Sequence, residues 1–431
     1  MASLCVSEDT MSELNPDTYI DVLEEDALVD KATEATEEIK RVDQMHNTLD
    51  EASRKSFNLE AVALVLEGLD LSADKARMLA IVGLDEPGLN PDAVMTSYSA
   101  EGFVDGALMI LEKIIDGLKR LWAMIRKAAT GLWDLLTNCE RGLRRAAEAA
   151  KRRTHLVPKG EIRLGIEARY LAAGNKLPAT HSDVTNAIDK LNTFADALFV
   201  HYSKQMPNVG KRLIDSINGF DIAKPEASLI AACNAMTQGV ANPVAALCFR
   251  AVASDTRFDA GPTGKVQASE ALLWNHSFFS VNWDTNQQGN VLITAEKIRR
   301  SKIVFTDTYE QLRAYDTEAV IPAFFAEGVA AMATAMADVI AKGKTFTSSD
   351  VLDQSRRAEA ALESVRKRVA NMRSGDEARK GPVTYYRTAV DFINTYSSWT
   401  SKVQLEYANY LSQVGRSVLR LAMRNLTGGL K

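Results

Sequence analysis

The sequence predicts a mainly α-helical protein with a small α+β central domain, long amphipathic helices and a C-terminal antiparallel helical arm. Three observations indicate this fold class. Apolar residues recur every three or four positions over most of the chain, which is the period of a helix that lies on a core. Alternating, strand-like stretches are found in the middle of the chain, between about residues 160 and 320. Hydrophobic residues make up 46% and charged residues 25%, as in ordinary soluble globular proteins.

The N-terminal region, residues 1–101, is predicted to be an acidic, propeptide-like appendage. It contains 23 acidic and 7 basic residues, a net charge of −16, whereas residues 102–431 contain 33 acidic and 44 basic residues, a net charge of +11. Residues 18–56 have the spacing of a polar helix and residues 58–81 that of a more apolar one. Such a charge asymmetry is typical of an acidic appendage joined to a body that meets an anionic partner.

Residues 102–155 are predicted to form a basic amphipathic helical segment. Leucine, isoleucine and tryptophan side chains occupy one helical face, and lysines and arginines occupy the other face and the tail. Eight of these cations are expected to contact nucleic-acid phosphates without reading bases: Lys119, Arg120, Arg126, Lys127, Arg144, Arg145, Arg152 and Arg153. Two alternatives stay open, a helix that only packs on a core and a membrane-surface helix with Trp122 and Trp133 at the interface.

A mixed α+β domain is predicted for residues 156–318. The alternating side chains of residues 162–170 favour a strand. Residues 278–298 contain two β-prone runs around a Gly/Asn-rich turn, which predicts a β-hairpin. Residues 301–305 predict a further strand.

Two sets of helices complete the prediction. Residues 181–206 have helical periodicity, with Ser182 or Asp183 as the expected N-cap. The C-terminal region, residues 319–431, is expected to contain three long helices joined by short connections, which implies antiparallel neighbours. Their predicted bounds are 319–342, 349–373 and 383–425.

The sequence contains no pattern that indicates catalysis. The five histidines and four cysteines do not have the spacing of a zinc site. No phosphate-binding loop and no nucleophile elbow is present, so we expect a non-enzymatic protein without catalytic residues, cofactor or metal. No stretch of about 18 uninterrupted apolar residues predicts a membrane span, and the cysteines are expected to be reduced and buried.

A short motif lies where the charge changes sign. Ser99, Ala100 and Glu101 form a small residue–any residue–glutamate sequence, and Gly102 follows it. This pattern occurs eight times in the chain. The copies at 268–270 and 361–363 are expected to lie in folded elements, where a protease reaches the backbone only after local unfolding. The copy that ends at Glu101 follows a Gly/Pro-rich loop and is therefore the predicted cleavage site.

Together with the helix "GFVDGALMILEKIIDGLKRLWAMIRKAATGLWD" and the stretch "GEIRLGIEARYLAAGNKLP", this site resembles those of structural and internal head proteins of large (jumbo) tailed bacteriophages. The resemblance covers residues 100–210 and extends to the C-terminal helices only in general character. It implies a virion structural protein that is matured by a prohead protease after Glu101. Other phage head proteins and packaged DNA, bound non-specifically, are the implied partners.

The implied location is the capsid interior, with the host cytoplasm as the place of assembly. Removal of the acidic region would expose the basic body to DNA. Two other functions are compatible with the sequence. One is a membrane-active or ejected helical protein that resembles a pore-former, and the other is a tail or baseplate subunit; membrane contact is the less favoured partnership.

Overall fold

The structure, a computed structural model, describes eleven stretches of the chain: 131–153, 160–165, 167–173, 176–240, 243–252, 258, 264–283, 295–307, 319–344, 348–372 and 376–428. Within them 73% of the residues are helical, and the remainder includes a small antiparallel strand set. The predicted fold class is therefore confirmed. The predictions for residues 1–130 lie outside the described residues and stay predictions.

Ten α-helices are described, and we number them in chain order. They are α1 (131–151), α2 (Glu167–Leu171), α3 (His181–Ala195), α4 (Ser203–Asn218), α5 (Pro225–Val240), α6 (Ala295–Arg300), α7 (Ala326–Gly343), α8 (Ser348–Ala370), α9 (Asp376–Ser397) and α10 (Val403–Gly428). Two π-helical segments, Asp196–Tyr202 and Ser398–Lys402, join α3 to α4 and α9 to α10 without a break. A 3₁₀ turn spans Ala245–Leu247.

The strands form two small antiparallel sheets. They are β1 (Glu161–Arg163), β2 (Arg250–Ala251), β3 (Gly264–Ala268), β4 (His276–Trp283), β5 (Lys302–Asp307) and β6 (Val320–Pro322). The first sheet pairs β1 with β6, with Ile162 opposite Ile321. The second has the order β2-β3-β4-β5, with Phe278 opposite Phe305.

One large hydrophobic cluster holds the helices together, from α1 to α10. Helix α7 packs against both α3 and α10, α8 against α4, and α9 against α5. The Tyr407 hydroxyl of α10 donates to the Leu191 carbonyl oxygen at 2.7 Å. The Tyr410 hydroxyl donates to the Leu273 carbonyl oxygen, also at 2.7 Å. The C-terminal helices therefore share their core with the central part of the chain.

The predicted start of α3 at residue 181 is confirmed, but its N-cap lies two or three residues before the predicted one. Thr180 is the N-cap, and its side-chain oxygen accepts a hydrogen bond from the Asp183 backbone amide at 3.2 Å. The Asp183 carboxylate accepts in return from the Thr180 amide at 2.9 Å. The predicted N-cap, Ser182 or Asp183, was wrong because Asp183 is the reciprocal partner of a capping box.

The strand predictions had mixed outcomes. The strand predicted at 301–305 is confirmed as β5. The hairpin predicted at 278–298 was wrong, because β4 pairs with β3 and β5 and residues 295–300 form α6.

The predicted strand at 162–170 is only partly present. Its first part belongs to β1, and residues 167–171 form the short helix α2 instead. Gly165 lies between them with a φ of +48°, a left-handed conformation that ends the strand and that glycine adopts without steric cost.

A candidate nucleic-acid interface on helix α1

The inner face of α1 is apolar and buried. Its buried residues recur at helical spacing: Leu132, Leu135, Leu136, Cys139, Leu143, Ala146, Ala147 and Ala150. A side chain at Gly142 would place its Cβ 2.8 Å from Leu419 Cδ2 of α10. A Cβ at Gly415 would lie 2.9 Å from Cys139 Sγ and 2.5 Å from Ile340 Cδ1 of α7. Close contact among α1, α7 and α10 therefore turns the other face of α1 outward.

The outer face of α1 carries three arginines in one row. Arg141, Arg145 and Arg152 are exposed, and their offsets of four and eleven positions place them on one helical face. With a rise of about 1.5 Å per residue, the row extends over about 16 Å along the helix axis. None of the three guanidinium groups forms a hydrogen bond or an ion pair with another described residue. We call these three residues the arginine row.

Beside the arginine row, a second set of cations is held by carboxylates. Arg144 Nε donates to Glu140 Oε1 at 2.8 Å, and Arg144 Nη2 donates to Asp338 Oδ1 at 3.2 Å. Lys344 Nζ, just after α7, donates to Glu140 Oε2 at 2.8 Å. Desolvation opposes ionisation of Glu140, but the hydrogen bonds from Lys344 and Arg144 outweigh it and lower the pKa of the carboxyl group. Glu140 therefore stays ionised and holds both cations in place.

The row and the paired cations line one open depression of about 560 Å³. Its walls are Thr137, Glu140, Arg141, Arg144, Arg145, Glu148, Ala149, Arg152 and Lys344. Five of these side chains are cationic and two are acidic. Glu148 pairs with Lys151 at 2.7 Å, and this hydrogen bond lowers the pKa of Glu148. The positive charge of nearby Arg152 lowers the same pKa further. The depression keeps an excess of positive charge.

Trp133 adds an aromatic edge next to this depression. The sequence placed Trp133 on the apolar face of the basic helix, whereas its side chain is 47% exposed. Lys344 Nζ lies 5.5 Å from the centre of its ring, within the range of a cation–π contact. Lys344 directly follows the end of α7, so this end lies beside Trp133.

The predicted contact residues have different surroundings in the structure. Arg145 and Arg152 lie in the depression, exposed, whereas Arg144 is held in two ion pairs. Arg153 is half-buried and donates to the Leu426 carbonyl oxygen at 2.8 Å, which fastens the end of α1 to the end of α10. The other four predicted contacts and the predicted cleavage site lie outside the described residues: Lys119, Arg120, Arg126, Lys127, Ser99, Ala100, Glu101 and Gly102.

Two cationic lining residues, Arg141 and Lys344, were missing from the prediction. Arg141 could have been included, because it precedes Arg145 by one helical turn. Lys344 could not, since nothing in the sequence indicates that the end of α7 lies beside α1.

The described residues were also compared with the requirements of a metal site and of a membrane span. Among them, no three histidine, cysteine, aspartate or glutamate side chains are grouped so that they could hold a metal ion. Cys139, Cys233 and Cys248 are buried free thiols. Over the same residues, no helix combines the length and the apolar character that crossing a membrane requires.

Comparison with known proteins gives one match. The family model for phiKZ-like phage internal head proteins matches residues 13–422, which is nearly the whole chain. No curated protein and no solved structure matches the chain. A match of this extent agrees with the helical body and with the predicted resemblance to head proteins of large tailed phages. The chain belongs to the family of phiKZ-like phage internal head proteins, and it is a structural protein of the phage head interior.

Proposed function

We propose that this internal head protein contacts packaged DNA through the outer face of α1. We further propose that this contact forms after the chain is cleaved between Glu101 and Gly102. The observation that carries the proposal is the arginine row, Arg141, Arg145 and Arg152, which is exposed and forms no ion pair or hydrogen bond with a carboxylate of the described residues. Arginines that lack an internal anion are suited to neutralise phosphates and to release their counterions.

The composition of the depression supports contact with phosphates rather than with bases. Arginine and lysine dominate its walls, and among the described residues neither asparagine nor glutamine, which read adenine edges, lines it. Contacts of this kind position a protein on the nucleic-acid backbone and carry no sequence information. Non-specific binding suits a head protein, because the packaged DNA presents every sequence.

Cleavage behind Glu101 is supported by the surroundings of other copies of the motif. The copy that ends at Glu148 lies within α1, and the copy that ends at Glu363 lies within α8. The copy that ends at Glu270 begins at the end of β3 and contains fully buried Ser269. Glu167, which ends another copy, is also buried. A protease needs local unfolding to reach such backbone.

DNA binding by the full chain, cut after folding at a protease site engineered at residues 99–102, tests the proposal. The triple variant Arg141→Gln, Arg145→Gln, Arg152→Gln removes the arginine row. A matched triple variant, Arg250→Gln, Arg356→Gln, Arg357→Gln, changes the net charge equally at exposed sites elsewhere. Fluorescence anisotropy of labelled duplex DNA over a range of salt concentrations reads the affinity.

A plot of log affinity against log salt concentration has a negative slope for DNA binding. We expect the triple arginine-row variant to make this slope shallower by about 2 to 3, since each lost phosphate contact contributes about 0.9. The matched variant should change the slope by much less. Equal losses in the two variants would show that net charge, and not the outer face of α1, carries the binding, and would contradict the proposal.

The proposed processing has its own measurement. The intact mass of the protein purified from mature phage particles should correspond to a chain that begins at Gly102. A chain that keeps residues 1–101 in mature particles would refute the cleavage, whatever the DNA-binding result.

A further inference from the structure

We propose that the acidic N-terminal region docks on the arginine row of its own chain before cleavage, and so blocks that surface from DNA. This proposal rests on the proposed function, because it names the occupant of the same site in the precursor. It makes the arginine row an intramolecular docking surface, and cleavage behind Glu101 the step that frees it.

The first argument is charge complementarity. The arginine row is exposed, extends over about 16 Å and forms no ion pair or hydrogen bond with a described carboxylate. Glu140 pairs with Arg144 and Lys344, and Glu148, although it lies near Arg152, pairs with Lys151. Residues 1–101 carry a net charge of −16, the largest excess of acid in the chain. An anionic segment is therefore the complementary occupant.

The second argument is spacing. Asp26, Asp30, Glu34 and Glu37 lie in the stretch whose periodicity predicts a helix, at offsets of zero, four, eight and eleven. The arginine row has the offsets zero, four and eleven. Two helices side by side in the same direction would thus bring Asp26, Asp30 and Glu37 opposite the three arginines. We call these four residues the acidic row.

The third argument is the tether. An exposed ion pair contributes at most about 1 kcal/mol and is screened by salt, so separate molecules would bind weakly through three of them. The acidic row belongs to the same chain as α1, and a tethered ligand reaches an effective concentration in the millimolar range. Cutting the chain behind Glu101 removes this advantage. Packaged DNA, with its dense phosphates, then replaces the carboxylates.

Zero-length carbodiimide crosslinking of the uncut full chain tests the docking. The variant Arg145→Lys introduces an amine into the arginine row while keeping its charge. Mass spectrometry should find crosslinks from this amine to carboxylates of the acidic row. The quadruple variant Asp26→Asn, Asp30→Asn, Glu34→Gln, Glu37→Gln should abolish them. The control Glu8→Gln, Asp9→Asn, Glu13→Gln, Asp17→Asn removes the same charge outside the predicted helix and should preserve them.

The same two variants, without Arg145→Lys, test the consequence for DNA. Neutralising the acidic row should raise the DNA affinity of the uncut chain by about tenfold or more, since it returns up to three phosphate contacts. The control should change the affinity by less than about twofold. Equal gains in both variants would overturn the docking in favour of a general effect of net charge.

The outcomes separate the two proposals. If the row crosslinks are absent, or join differently labelled chains in a mixture of ¹⁴N and ¹⁵N protein, docking within one chain is refuted, and DNA binding by the cut chain can still stand. If the crosslinks form as expected but the cut chain does not bind DNA, the proposed function fails while the docking holds.

Discussion

Arginines on the outer face of α1 and arginines at the centre of the fold have opposite surroundings. In the centre, Arg299 Nη1 of α6 donates to Asp391 Oδ2 of α9 at 2.6 Å, and the Asp391 side chain is only 7% exposed. On α1, Arg145 and Arg152 are exposed and form no ion pair with a described carboxylate, since Glu148, which lies near Arg152, pairs with Lys151. The comparison shows two roles of arginine. An arginine paired with a buried carboxylate stabilises the fold, whereas an exposed arginine without an ion pair is available to bind a partner.

The largest effect is expected from breaking the central pair. Asp391→Ala leaves the largely buried Arg299 without its counterion, which should lower the free energy of unfolding by about 3 kcal/mol. Urea denaturation measures the change. The control Asp215→Ala, at an exposed position of α4, should change it by less than about 0.5 kcal/mol. Similar values for both variants would show that the central pair does not stabilise the fold.

A smaller loss of stability is expected when the close contact among α1, α7 and α10 is overpacked. Gly415→Ala would bring a Cβ to 2.5 Å from Ile340 Cδ1, and overpacking of this kind costs about 2 kcal/mol. At Gly131 of α1, no atom of the described residues lies within 4 Å of an added Cβ. Gly131→Ala should therefore stabilise the protein by about 0.5 kcal/mol, because alanine favours a helix. Thermal unfolding of both variants tests the contrast, which a stabilising Gly415→Ala would contradict.

Glu140→Gln removes the carboxylate that Arg144 and Lys344 share. It should cost about 1 kcal/mol at neutral pH, because Arg144 is 47% exposed and keeps Asp338, whereas the Lys344–Glu140 pair is mostly buried. It should also steepen the salt dependence of DNA binding by the cut chain, since Lys344 loses its carboxylate and Arg144 keeps only Asp338.

The pH dependence of Glu140→Gln has a definite sign. The folded protein lowers the pKa of Glu140, so the carboxylate stabilises the fold above the pKa of an unfolded glutamate, 4.5. This contribution is lost as the pH falls below 4.5 and through the folded pKa. Urea denaturation of wild type and variant should give converging stabilities on acidification. A difference that widens there would contradict the ion-pair assignment.

The smallest effect on stability is expected from the arginine row itself. The triple variant Arg141→Gln, Arg145→Gln, Arg152→Gln removes no ion pair or hydrogen bond to a described residue, so the midpoint of urea denaturation should stay within about 0.5 kcal/mol of wild type. A substantial loss would show that the arginines serve the fold, and would remove the contrast with Arg299.

Much of the helical architecture could be predicted from local patterns. Helical periodicity located α3 and the long C-terminal helices, because one face of each must be apolar to pack on the core. The predicted helix at 319–342 was wrong at its start, since residues 320–322 form β6, which pairs with β1, and α7 begins only at 326. The strand β5 was also predicted. The hairpin at 278–298 was not predictable, since β4 finds its partners in β3 and β5 by long-range pairing. Local alternation does not specify the partner of a strand.

The candidate site shows the same division. Arg145 and Arg152 could be identified from charge and helical spacing, which depend only on positions along one helix. The pair of Arg144 with Glu140 is an i, i+4 pair within α1. That Arg144 also pairs with Asp338, and that Arg153 fastens α1 to α10, depends on α7 and α10 lying beside α1. Those neighbours are about 190 to 270 residues away in the sequence.

Charge and hydrophobic period along the chain were thus enough for the helical class, for the acidic and basic halves, and for the choice of α1 as the cationic helix. Which cations of α1 are neutralised and which face solvent was decided by packing, through the close approach of α1, α7 and α10 at Gly142 and Gly415. The physical reason is that an ion pair depends on the distance between two charges in space. For residues far apart in the chain, only the folded core sets that distance.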